Sequence, residues 1–391
     1  MKFIHLGDSH IGNVYKSEQR NEDIKDMFKQ LVDAAIEQSV DFVVHSGDLF
    51  NEGSPPLSAL LFATDQLNRL KQNGIKLFIV PGSHDVGMGE EDSIIELFDR
   101  NGLLTNLNSR RYLEKKDGSV VLKGESYKNA FICGIGGKRS RVEEEIFKRL
   151  KISGIKNEWI KIFVFHHTIS DLGEKFKDLD KESLPADFDY YAAGHWHGHR
   201  GGIVYGKGLV QYPGSLEYCD EKEIVDNPNR GYYLIDYREK GINSIEYKLL
   251  KTREKDVIAI NADSKKAHDV ESEAISKLSD NKGKLLVIKF EGKLDGRRAD
   301  LDVSKIKRAA KDAGYSYSSV NISKLYDKED QHIEIKSKDL DSIEKEFLDK
   351  KGYKEHEVKI AQMIISAAEA GASPEEIRVE IERIFDKYDN K

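Results

Sequence analysis

The chain has 391 residues, 34% of them charged, and a formal net charge of -7; that length accommodates two or three domains, and the mild acidity argues against a generally basic nucleic-acid binder while leaving room for local basic patches. Two cysteines, Cys133 and Cys219, are too few for a disulfide framework and read as reduced and buried. Met1 leads directly into an apolar strand, which argues against a signal peptide, and no apolar run approaches the roughly 18 residues of a membrane span, so a cytoplasmic protein with no membrane partner is expected.

The first predicted strand, residues 2–6, delivers Asp8-Ser9-His10. An amphipathic helix over 21–38 follows, with Ile24, Met27, Phe28, Leu31, Ala35 and Ile36 at helical spacing. Strand 41–45 runs into Gly47-Asp48. Pro55-Pro56 opens a helix that Gly74 stops, and strand 75–80 runs into Gly82-Ser83-His84-Asp85. A helix over 91–100 ends at Asn101-Gly102. From Tyr112 onward short strands dominate, at 120–122, 130–133, 162–165, 190–193, 202–204, 209–212 and 232–237. Two of them deliver His166-His167 and Gly194-His195-Trp196-His197. This order predicts an α/β fold for residues 1–245, a mixed β-sandwich with helices on its outer faces.

Residues 250–325 differ in character. Their βαβαβ order carries no His/Asp constellation and reads as a small separate α/β domain. Residues 326–355 are highly charged and poor in aliphatics, as a linker is. Residues 356–391 read as two amphipathic helices separated by Gly371-Ala372-Ser373, with Ser373 as N-cap and Pro374 at the first helical position. A helical pair of that size cannot bury Ile360, Ile364, Ile365, Ile377, Ile381, Ile384 and Phe385 by itself. A partner surface is expected there.

Five strand ends carry Asp and His at the C-terminal edge, where open α/β sheets bind ligands. That is a metal-site pattern, and the carboxylate/imidazole mixture suits Mn, Fe or Zn. Hydrolysis of a phosphodiester by two divalent cations about 3.5–4 Å apart needs one carboxylate able to bridge them. Asp48 is the expected bridge. Asp8, His10 and His197 would complete one metal; His166 and His195, with position 83, would complete the other. His84, beside a ligand but not needed as one, can protonate the leaving oxygen. His5 and His45 lie in strands and read as core histidines, His199 as a loop residue and His167 as structural or outer-sphere. Asp85 either fixes His84 by a hydrogen bond or caps a turn.

The set D-x-H, G-D, G-N-H-[DE], H and G-H-x-H is the signature of calcineurin-like metallophosphoesterases, which these motifs resemble. Val44-His45-Ser46-Gly47-Asp48-Leu49-Phe50-Asn51, Gln211-Tyr212-Pro213-Gly214-Ser215-Leu216-Glu217 and Arg230-Gly231-Tyr232-Tyr233-Leu234-Ile235-Asp236 narrow the resemblance to the archaeal Mre-eleven/SbcD family of double-strand-break repair nucleases. The resemblance implies two Mn2+ per chain, with Mg2+, Fe2+ or Zn2+ as possible substitutes. It implies 3′-to-5′ exonuclease action on duplex DNA and endonuclease action on single strands. It also implies a homodimer, a coiled-coil ABC-type ATPase partner held by the C-terminal helices, a DNA-capping role for residues 250–325, and a nucleoid-associated location.

By order of elements, the dimer helices fall at 57–70 and 91–100, with Leu60, Leu61, Ile94, Leu97 and Phe98 each either a dimer contact or a core-facing residue. Lys138, Arg139, Arg141, Arg297 and Arg298 are candidate phosphate contacts, as is Asn51. One letter departs from the family: its Asn ligand is Ser83 here. A neutral hydroxyl is a poor ligand with a shorter reach, so a weakened second metal is expected. Two other functions fit the motifs. A stand-alone small-molecule phosphodiesterase or phosphatase would have no need of the segment beyond 245. A catalytically weakened DNA-binding scaffold would be consistent with Ser83.

Overall fold

The computed structural model describes residues 1–13, 17–87, 92–116, 119–137, 143–173, 177–226, 229–279 and 283–328. The charged segment 329–355, the C-terminal pair 356–391 and Lys138, Arg139 and Arg141 lie outside the described residues.

Two six-stranded sheets face each other. The first runs Gly241–Leu249, Gly231–Arg238, Lys2–Leu6, Phe42–His45, Lys76–Ile79 and Thr105–Asn106, its last four strands parallel. The second runs Arg200–Tyr205, Gly208–Tyr212, Tyr190–Gly194, Ile160–His166, Ala130–Ile135 and Glu125–Tyr127, with four parallel strands in its middle. Phe3, Phe42, Val44 and Phe78 from the first sheet interlock with Ile132, Ile162, Val164 and Tyr190 from the second. The alternate residues Ile4, Leu6, Val43 and Leu77 point to the other face, under α1 (Glu18–Glu37) and α2 (Leu57–Gln72). Both faces of these strands are therefore apolar, as parallel strands covered on both sides require. Among the described residues no helix is long and apolar enough to cross a membrane.

Most expected elements occur within a few residues of their expected bounds. The helix expected over 91–100 is shorter, with α3 covering only Ile95–Arg100. Before it, Ser93 pairs with Val86 and its hydroxyl donates to the Asp85 carbonyl at 2.9 Å, which draws that stretch back to the site loop. The strand Gly241–Leu249 was not expected and runs past residue 245 to close the edge of the first sheet. Helix α4 (Glu143–Lys148) covers the second sheet, and α5 (Glu221–Asp226) follows it in the chain. Beyond residue 254 stand three parallel strands, Lys255–Asn261, Leu285–Lys293 and Tyr317–Tyr326, with α6 (Ala267–Ser276) and α7 (Val303–Asp312) packed on them around a core of their own.

The candidate dimer residues divide. Leu61 and Leu97 are 57% and 51% exposed, as is the neighbouring Leu57 at 69%. Leu60 and Ile94 are partly buried against the core. Phe98 is a correction: it is 2% exposed, with its ring 5.5 Å from that of Phe50, so it packs the core under the Asp48 loop. Truncating a buried Phe costs about 3–5 kcal/mol. Phe98→Ala should lower stability by that order in chemical denaturation while leaving oligomeric state unchanged; Leu97→Ala should barely alter stability.

Candidate metal centre

Parallel pairing aligns the strand ends. Leu6 pairs with His45 and His45 with Ile79, so the loops starting at Gly7, Ser46 and Val80 leave one edge together. His166 pairs with Gly194 at the corresponding edge of the second sheet. The loops turn sharply: Asp8, His10, Asp48 and His195 have φ of 51°, 47°, 55° and 81°. An L residue in that left-handed region costs of order 1–3 kcal/mol and persists only where its surroundings over-determine it. Two glycines allow the close approach. A Cβ on Gly82 would sit 2.1 Å from Asp48 Oδ1, and one on Gly47 would sit 2.4 Å from His166 Nδ1.

Asp48 is the hub. Its Oδ2 lies 3.1 Å from His166 Nε2 and 3.9 Å from His10 Nε2, and its Oδ1 accepts the His84 backbone N–H at 2.7 Å. Two sets of ligand atoms within 4.8 Å of one another share it: His10, Asp48 and His84, and Asp48, His166 and His195. A third such set joins His10, His197 and Cys219. Asp8 accepts the His195 N–H on both oxygens, at 3.1 and 3.2 Å, and its Oδ1 stands 4.0 Å from both His166 Nδ1 and His197 Nε2.

These residues fit a cation. His166 Nδ1 donates to the Ser46 carbonyl at 2.8 Å, which leaves Nε2 as the ring's ligand atom. That Nε2 and Asp48 Oδ2 are buried 3.1 Å apart, yet neither forms a hydrogen bond of good geometry. Leaving a buried polar atom so costs about 1–3 kcal/mol. The Nε2 atoms of His10 and His197 meet at 3.1 Å, a contact between two ring nitrogens that needs a proton or an ion between them. A divalent ion on either side of Asp48 answers both contacts.

Burial disfavours charge on His166, but Asp48 and Asp8 beside it raise its pKa to about 9. Burial likewise acts against the Asp48 carboxylate, but His166, His10 and His84 hold it well below the usual range. Burial is the main cause that pushes Asp8 up to about 6, and that lowers His10 to about 3 and His195 to about 4. His10 and His195 are thus neutral and ready to ligate.

Of the remaining expectations, His84 is held through Nδ1, which lies 2.7 Å from the Asn51 carbonyl. Asp85 takes the turn-capping role: buried, it accepts the backbone N–H groups of Leu49, Phe50 and Gly82. Ser83 is half-buried between two anchored residues, Gly82 and His84. His167 is buried with its ring edge on Phe147, and His5 and His45 are buried and bonded to Tyr190, Ser46 and Ser9. His199, in a loop, stacks on Tyr247. Arg297 and Arg298 are engaged with Asp300 and Asp327.

Sequence reasoning missed the outer ring. His197 Nδ1 lies 2.7 Å from Glu223 Oε1, and the other Glu223 oxygen accepts from Arg230, Ser215 and the Cys219 N–H at 2.6, 3.0 and 3.1 Å. Asp178 Oδ2 stands 3.8 Å from His195 Nε2. Arg230 and Ser215 fell within quoted runs, but nothing in the local sequence singles out Glu223 in so acidic a chain.

Residues 1–199 match the family described as calcineurin-like phosphoesterase. The chain is 31% identical over 294 residues to "DNA double-strand break repair protein Mre11" of Methanocaldococcus jannaschii, covering 73% of this chain and 75% of that one. It is 30% identical over 404 residues to the protein of the same name from Sulfolobus acidocaldarius, covering 99% and 98%. The chain belongs to the Mre11 family. Its place among the metallophosphoesterases implies hydrolase activity with divalent metal ions. Among solved structures it is similar to TT1561 of Thermus thermophilus, with TM-score 0.38 and 12% identity over 64% of this chain and 99% of that one.

Two outcomes are expected of this Mre11-family centre. Metal-free His166, raised to about 9, holds a proton at pH 7.5, and His197, despite its burial, is likewise raised well above the usual imidazole range by Cys219, Glu223 and Asp8. Mn2+ binding should therefore release protons from both rings and weaken as pH falls below about 9. Calorimetry in buffers of differing ionisation enthalpy reads this directly. Glu223→Ala, which removes the partner of His197, should weaken metal binding by roughly 10–100-fold.

Proposed function

We propose that the chain is a DNA double-strand-break repair nuclease subunit that hydrolyses phosphodiesters with two Mn2+ ions. The observation that carries this reading is Asp48, whose Oδ2 lies 3.9 Å from His10 Nε2 and 3.1 Å from His166 Nε2 and which belongs to two sets of close ligand atoms within a buried Asp/His cluster. Asp8, His10, Asp48 and His197 would hold the first ion, and Asp48, Ser83, His166 and His195 the second. When bound, the ions neutralise phosphate charge and acidify the attacking water. His84 orients its ring through the Asn51 carbonyl and gives its Nε2 proton to the leaving oxygen.

The three-stranded unit is read as the DNA-capping domain, covering 250–325, and residues 356–391 as the segment that binds a coiled-coil ABC-type ATPase. Leu57, Leu61 and Leu97 are the exposed apolar residues through which a homodimer would form. Substrates are duplex ends for 3′-to-5′ exonuclease action and single strands for endonuclease action. A small-molecule phosphodiesterase is disfavoured, because it has no use for a second α/β unit.

His84→Ala should abolish Mn-dependent degradation of linear duplex DNA while metal binding persists; undiminished degradation would overturn the assignment. Ser83 favours a weak second site and hence a scaffold-like protein at low metal. Ser83→Asn should tighten that site and raise activity at limiting Mn2+ by about 10-fold or more, given the effect of single ligand-shell losses. Equal activity in both forms across a Mn2+ titration would contradict the weak-site reading.

A further inference from the structure

Helix α5 has two faces with different tasks. On one, Glu223 holds His197 Nδ1 at 2.7 Å. On the other, Ile224 is fully buried in a cluster with Tyr218 and with Leu285, Val287 and Tyr317, the last three from the three-stranded unit. Glu221 completes that docking: its Oε1 accepts from Asn321 Nδ2 at 2.6 Å, and its other oxygen accepts from the Ser319 hydroxyl. Lys255, at the start of the unit's first strand, donates to the Ile224 carbonyl and lies over the Tyr218 ring.

A six-residue helix cannot hold its conformation by its own hydrogen bonds. Ile224 is its one buried residue, and three of the four buried residues clustered with it belong to the three-stranded unit, Tyr218 being the fourth. We propose that this unit positions the first metal's ligand His197 through α5, with Glu221 and Ile224 as the dock and Glu223 as the arm. The inference rests on the metal reading of the cluster. A histidine ligand's ring orientation and basicity follow from the acceptor at its second nitrogen. A shift of the unit therefore tilts α5 and alters the Glu223–His197 bond without touching the cluster. Arg230 and Ser215 also hold Glu223, so undocking α5 weakens the arm but does not release it. By reciprocity, filling the first metal site stiffens the seat of the three-stranded unit.

The test is a calorimetric Mn2+ titration of the full chain beside Glu221→Ala, Glu221→Gln and Leu294→Ala. Glu221→Ala should weaken the tighter Mn2+ site by about 3–10-fold, less than direct loss of an outer-shell partner. Glu221→Gln keeps an acceptor oxygen for the dock and should recover most of the affinity. Leu294 is buried in the unit's core but has no part in the α5 dock, so Leu294→Ala should lower thermal stability and leave Mn2+ affinity unchanged. Wild-type affinity in Glu221→Ala, or equal weakening in Leu294→Ala, overturns the relay. A metal-free readout separates it from the metal reading. The downfield proton resonance of the His197–Glu223 hydrogen bond should move in Glu221→Ala and stay in place in Leu294→Ala. If it stays in both, the relay is wrong even where metal binds; if it moves but no Mn2+ binds, the metal reading alone fails.

Discussion

Asp48 and its neighbours set the terms for everything else in the molecule. A carboxylate 1% exposed lies 3.1 Å from one imidazole nitrogen, 3.9 Å from a second, and shares its crevice with another buried carboxylate, Asp8. Buried charges are costly unless paired or bound to metal. Without an ion, the cluster balances by favouring protons on His166 and His197 and keeping His10 and His195 neutral. Divalent ions make the same geometry favourable. The cluster is therefore built for cations rather than for stability.

The scaffold accommodates that cost in identifiable ways. Two apolar sheet faces lock together and fix the strand ends, and four site residues are held at left-handed backbone angles that the chain would not adopt freely. Asp85 caps two of the loops at once through three backbone N–H groups, joining the Asp48 loop to the Gly82–His84 loop. The rigidity around Asp48 is thus a product of hydrogen bonds from neighbouring loops, and Phe98 under Phe50 supports it from below. On the His197 side the support comes from farther along the chain, through Glu223 and Arg230.

Legibility in the sequence followed the range of the interactions. The Asp/His motifs were readable because each follows an apolar strand directly, and parallel pairing then places their strand ends at the same edge. The βαβαβ order of the three-stranded unit was readable from periodicity alone. Gly241–Leu249 was missed because it is an edge strand whose partner, Gly231–Arg238, decides its conformation. Glu223 was missed for a related reason: its role comes from a contact across 26 positions of chain, and its local surroundings are simply acidic. Phe98 stayed open between dimer contact and core because a helical stripe does not say which side faces the core. Asp85 was left open between two roles until the Leu49 and Phe50 amides, more than thirty residues away, decided it.

Crystals equilibrated with Mn2+ and measured by anomalous diffraction at the manganese edge test the central claim most directly. The account requires two anomalous peaks flanking the Asp48 carboxylate, one against His10 and His197 and a weaker one against His166 and His195. A single peak remote from Asp48, or no peak in the crevice, would contradict it.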